Sequence, residues 1–235
     1  MDSGRSPMIK MACMLIILSV RLGVVCTPQS QRVDDNQMSS SDIVAVVIKT
    51  LESRGRSGSL IYRGSCTPSG GIKDSFKVAA IKGENSALET LHAAFKNDST
   101  LTVKEDASGL IQIIGGNVQT DLLQLKLHKV AFKGEGDPRN AVNKLLANPE
   151  IKGYMQANHI KFITLIDGLI PPPSGARLSA TLKDATLSQA LDQIVQSFPG
   201  VWIYGECGIE RGERHVYILF HEFSARPPVG TLSNR

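Results

Sequence analysis

A single tryptophan and 5% aromatic residues, with no block of lysine or arginine, give a nucleic-acid-binding face nothing to build on, and no nucleic-acid partner is expected. No apolar run reaches the roughly 20 residues that a transmembrane helix needs, because Arg21 interrupts the run that fills positions 11–20. Motifs of known chemistry are missing too. There is no G-x-S-x-G elbow, no P-loop, no Ser, His and acid arrangement and no paired-carboxylate motif, so the sequence offers no catalytic residues and implies no cofactor. Cysteine is scarce, at four, and charge is nearly balanced, at +4. Arg5, Lys10 and Arg21 against Asp2 supply +2 of it within the first 26 residues; the other 23 basic and 21 acidic side chains supply the remaining +2.

What the N-terminus does have is a positive flank, Arg5 and Lys10, followed by about ten apolar residues, the shape of a secretory signal over residues 1–26. Export to the periplasm or the medium is expected, with no membrane span left once the leader is cleaved. Leu22-Gly23-Val24-Val25-Cys26 compares poorly with a lipoprotein cleavage box: the leucine stands one position too far upstream, and Val25 is bulky where a small residue belongs. Acylation of Cys26 is therefore not expected. Past the leader only Cys66 and Cys207 remain. Two thiols in an oxidising compartment point to one disulfide joining the halves of the chain, and two separate thiols are the alternative that spacing leaves open.

With 42% apolar residues the rest of the chain can build a core, and its periodicity reads as α+β. A polar, flexible segment at 27–41 leads into a first module at 42–117. There a helix carries Ile43, Val46, Val47 and Leu51 on one face, and a strand follows at 59–66. Then comes a β-α-β-β pattern: Phe76, Val78 and Ala80 alternate, Ser86 and Glu89 form a capping box, Leu88, Leu91 and Phe95 line a helix, and strands follow at 101–103 and 110–114. A connector at 118–175 reads as strand, helix, helix, strand. It starts with alternating Leu123, Leu125 and Leu127, has an Asp137-Pro138 helix start, and closes on Pro171-Pro172-Pro173.

The second module, at 176–223, repeats the β-α-β-β pattern. Leu178, Ala180 and Leu182 alternate; Thr186 and Gln189 form a second capping box; Leu187, Ala190, Leu191, Ile194, Val195 and Phe198 make one helical stripe; two strands follow Pro199-Gly200. A shift of 100 residues lays Ser86 on Thr186, Leu91 on Leu191 and Val103 on Ile203, a recurrence of pattern rather than of identity. Residues 224–235 read as a frayed tail.

The alternating strand, the Asp184-Ala185-Thr186-Leu187-Ser188-Gln189-Ala190-Leu191 turn and helix, and the Phe198-Pro199-Gly200-Val201 exit resemble the short N-terminal domain of secretins and TonB-dependent receptors. The likeness covers about 45 residues, and more weakly the earlier copy. It implies a small envelope module that binds another protein and has no catalytic residues to transfer; the secretin or barrel that would follow is not in this sequence.

Candidate functional residues lie on the last two strands. Trp202, Tyr204, Tyr217 and His221 are the candidate partner-binding set, for an unidentified envelope protein or a second copy of the chain. Trp202 and Tyr204 alternate with Val201 and Ile203, so both strand faces are apolar. One face must meet the helix; the other meets the first module or lies open. The alternative reading is a small exported metal-dependent hydrolase using His215 or His221 with Glu222. His215 and His221 share a strand face yet stand about 20 Å apart, too far for one ion, so no metal site is expected.

Overall fold

A computed structural model describes residues 37–67, 72–73, 75–79, 86–163, 175–208 and 212–223. The leader with Cys26, the polar segment up to residue 36, the turn at 68–71, the strand expected beyond residue 163, the prolines at 171–173 and the tail from 224 lie outside the described residues. In chain order the elements are β1 (Gln37–Ser39), α1 (Ser40–Ser53), β2 (Gly58–Cys66), β3 (Ile72–Lys73), β4 (Ser75–Lys77), α2 (Ala87–Phe95), β5 (Leu101–Glu105), β6 (Ile111–Gly115), β7 (Lys126–Glu135), α3 (Pro138–Leu146), α4 (Pro149–Ala157), β8 (Ile160–Phe162), β9 (Leu178–Thr186), α5 (Leu187–Ser197), β10 (Gly200–Gly208) and β11 (Arg214–Glu222). The chain is α+β, as its periodicity requires.

Local chemistry sets the element ends. Ser86 and Thr186 each accept from the backbone of the residue three on, and Glu89 and Gln189 reach back to the cap, so both capping boxes close. Asp137 and Asn148 cap α3 and α4, each with proline at the first helical position. The strand expected from Leu123 onward starts only at Lys126. Residues 121–124 form a turn instead, and there and just after it the carbonyls of Leu123 and Leu125 accept from Ser188 and Leu187, two orphan amides of α5.

The sheet order β5-β6-β2-β10-β11-β8 sets strands of both expected modules side by side in one sheet. Strand β2 lies parallel to β6 on one side and to β10 on the other, so hairpins β5-β6 and β10-β11 belong to one sheet. A module of about 60 residues is marginal alone, and shared pairing removes an exposed sheet edge from each. The first strand of each unit leaves this sheet: β4 pairs with β1, and β9 pairs with β7 in a separate ribbon.

Each face of the sheet carries its own core. Leu60, Tyr62, Ile111, Ile113, Val201 and Ile203 pack with α1 and α2. Ile61, Trp202, Tyr204, Val216, Ile218 and Phe220 pack with α3, α4 and α5, beneath the inner side of the β7-β9 ribbon. Hairpin β5-β6 runs antiparallel to its counterpart β10-β11 and their helices lie on opposite faces, so the second unit sits in the sheet as the first turned over end for end.

Candidate functional site

Strand β10 decides where the candidate residues go. Flanked by β2 and β11 and covered on both faces, it buries eight of its nine residues, so its side chains meet protein whichever way they point. Trp202 and Tyr204 are fully buried and Tyr217 is 6% exposed. These three are core residues and present no contact surface in the folded chain, a correction of the partner-binding assignment. Of the two arrangements open for the second face of β10, packing against the first unit is the one found. Tyr217 lies over Gly205, where a Cβ would come within 2.3 Å of its ring, and its hydroxyl hydrogen-bonds that of Tyr62. Of the four, His221 alone is exposed, at the far end of β11 beside the ring of Phe223.

The hydrolase residues do not assemble. His215 pairs with Cys207 at one end of the hairpin, while His221 and Glu222 pair with Val201 and Gly200 at the other. The nearest carboxylate to His215 is Glu213, at 3.8 Å. Among the described residues no three His, Cys, Asp or Glu side chains converge on a common point. Cys207 bonds to Cys66 across the parallel β2-β10 pair, with Cα atoms 5.2 Å apart, and so joins the halves of the chain.

The period-two alternation of β10 puts Glu206 on the same buried face as Trp202 and Tyr204. Glu206 is fully buried. Its Oε1 accepts from the Gln119 amide at 2.6 Å and lies 3.8 Å from Arg63 Nε; its Oε2 accepts from Tyr204 at 3.1 Å and lies 3.7 Å from Arg214 Nη1. Arg214 also forks onto Asp121, at 2.6 and 2.9 Å, and Asp121 accepts from the Tyr154 hydroxyl at 2.7 Å. Burial pushes the Glu206 carboxyl up, against the pull of the Gln119 amide, Tyr204 and the two guanidinium groups. The Arg214 hydrogen bonds hold Asp121 down at about 2, against burial and with help from Tyr154. Each Glu206 oxygen accepts a hydrogen bond and faces a guanidinium group, which suits a lock between the 119–121 loop, β2, β10 and β11.

A half-buried carboxyl lies nearer the surface. Asp192 on α5 accepts from the Trp202 indole N–H at 2.8 Å and lines a groove of about 350 Å³ with Asp106, Ser108 and Gln193. Burial raises its pKa to about 6; the indole hydrogen bond opposes the shift and Asp106 adds to it.

The sheet's edges differ. Edge strand β5 carries Lys104 and Glu105, charges that discourage strand addition. On the other side, β8 covers β11 only from Arg214 to Val216. The amide of Arg214 and the carbonyl of Val216 bond outward to His159 and Ile163, whereas the amide of Phe223 bonds inward to Pro199. Alternation therefore turns the backbone groups of Ile218, Phe220 and Glu222 outward, where no described strand pairs with them.

No known protein family matches the chain, and neither does any curated protein or solved structure.

Proposed function

We propose that this chain is a non-enzymatic, exported protein that binds another protein of the cell envelope by accepting a strand along the outer edge of β11. One observation carries the reading: residues 217–222 pair with β10 on one side and with no described strand on the other. An added strand would satisfy the outward groups of Ile218, Phe220 and Glu222 and run beside exposed His221, the remaining member of the expected partner-binding set. The signal-like leader and the Cys66–Cys207 bridge support an oxidising destination. The resemblance of residues 178–201 to the short N-terminal domain of secretins and TonB-dependent receptors supports a partner-binding role.

Hydrogen exchange tests this residue by residue. In the isolated protein the amides of Ile218 and Phe220 should exchange much faster than those of Tyr217 and Leu219, which point to β10, and a photo-cross-linker at position 221 should trap one envelope protein. Glu222→Pro, which removes an outward N–H and no β10 ladder bond, should abolish the adduct. Slow exchange at 218 and 220 in the free protein, or adducts only to the chain's own residues, would show the edge already covered and sink the proposal.

A further inference from the structure

The β7-β9 ribbon lies outside the central sheet, with one face on the core that holds α3 and α5 and the other open to solvent. Leu127, Val130, Phe132 and Leu178 are buried, and Lys126, Lys129, Lys133 and Lys183 are exposed. The alternation of β7 slips at His128 and Lys129, opposite Asp184 with its positive φ of 52°, and this slip keeps lysines before and after it on the solvent side. Lys129 stands directly across from Lys183 in the ladder.

Like charges directly opposed on neighbouring strands destabilise a ribbon. Among the described residues none of the four ammonium groups has a carboxylate within 4.0 Å; of the acids on or against the ribbon, Asp184 faces His128 at 3.6 Å, Glu135 pairs with Lys144 at 2.6 Å and Glu150 accepts from the His128 amide at 3.0 Å. Arg177, beside the ribbon, donates to the Gly134 carbonyl. Between the lysines lie the small side chains of Ala131, Ser179 and Thr181, and exposed His128 is the one ring beside them, without the run of aromatic residues on which successive bases stack.

We propose that the solvent face of the β7-β9 ribbon docks on an anionic lipid surface, with Lys126, Lys129, Lys133 and Lys183 as its contacts. Lysines are strongly hydrated point charges without the fork that reads a single carboxylate or phosphate, so a row of them suits a plane of headgroups better than a defined ligand. The row extends over about 23 Å, from seven residues at about 3.3 Å each. A docked membrane would screen the Lys129–Lys183 repulsion that the fold leaves in place.

The test is co-sedimentation of the full chain with vesicles of phosphatidylcholine alone or mixed with phosphatidylglycerol; the zwitterionic vesicles report whatever the apolar leader contributes. Wild type should prefer the anionic vesicles, and the preference should fall steeply with added salt. At about fivefold per lysine, Lys129→Gln/Lys133→Gln/Lys183→Gln should lose about 100-fold of that preference, and Lys183→Gln alone about fivefold. A control with the same charge loss elsewhere, Lys96→Gln/Lys104→Gln/Lys152→Gln, should keep it. An unchanged preference in the ribbon variant, or equal loss in the control, overturns the proposal. So does polyglutamate or duplex DNA binding wild type more tightly than the anionic vesicles at the same salt. The strand-addition reading stands or falls separately, since Glu222→Pro leaves the ribbon intact.

Discussion

In the unit formed by β4, α2, β5 and β6, the strand that follows the helix is the outermost of the sheet and buries only Val103 of its five residues; in the unit formed by β9, α5, β10 and β11, the corresponding strand buries eight of nine. Both helices start from a closed capping box, and both are followed by a hairpin in the same sheet. The difference lies in which hairpin strand meets β2: in the first unit it is the later one, β6, and in the second the earlier one, β10. The same order of cap, helix and hairpin thus yields an edge strand in one place and, in the other, a strand with eight of nine residues buried. Depth belongs to the pairing and not to the unit.

Breaking that inequality gives the largest expected effects. Trp202→Ala should cost about 3–5 kcal/mol, as for a fully enclosed ring. The matched pair is sharper: Ile203→Ala should cost about 3 kcal/mol and its counterpart Val103→Ala about half that, measured by urea denaturation. Equal costs would show that the first unit is as deeply held as the second, and would end the comparison.

Next in size is the bridge, which ties β2 to the second unit only. Reduction, or the Cys66→Ala/Cys207→Ala pair, should lower stability by about 2–4 kcal/mol, read from the denaturation midpoint with and without reductant. A shift near zero would mean that the β2-β10 ladder holds the halves together unaided.

Asp192 has no equivalent in the first unit, where the same shift of 100 residues lands on exposed His92. A folded carboxyl near 6 holds its proton more tightly than the unfolded chain's, near 4. Ionised Asp192 therefore costs stability above about pH 6, and the cost fades as pH falls through that value toward 4. Asp192→Asn keeps an acceptor for the Trp202 indole and should be more stable than wild type by up to about 2 kcal/mol at pH 8 and no more stable at pH 4. Trp202 fluorescence should titrate near pH 6 in wild type and stay flat in the variant. A flat wild-type curve would place Asp192 in a wetter setting than the structure gives it.

The smallest effects should be equal ones. Ser86→Ala and Thr186→Ala each remove a cap oxygen and should each cost about 1 kcal/mol, because capping is settled within a single turn. A clear inequality would mean that tertiary context reaches into the caps and that the two units differ even locally.

The same division runs through what could be read in advance. The caps at Ser86, Asp137 and Thr186, the helical stripe from Leu187 to Phe198, and the hairpins were legible because each depends on neighbours a few residues away. The start of β7 was not, since a run of alternating leucines cannot show that the carbonyls of Leu123 and Leu125 are needed at the start of α5. Nor were Arg63, Gln119, Asp121 and Arg214, which meet at Glu206 from separate elements. Trp202, Tyr204 and Tyr217 stood out as large apolar groups, but whether such groups face a partner or the core depends on what pairs alongside.

The helices, their caps, the alternation of β9 and the scarcity of thiols that left Cys66 and Cys207 to each other were settled by the sequence alone, because these follow from short-range geometry and composition. Tertiary structure decided that β2 would lie between the two hairpins. From that one insertion follow the burial of β10 and the lock around Glu206, because long-range pairing fixes which residues lose contact with water.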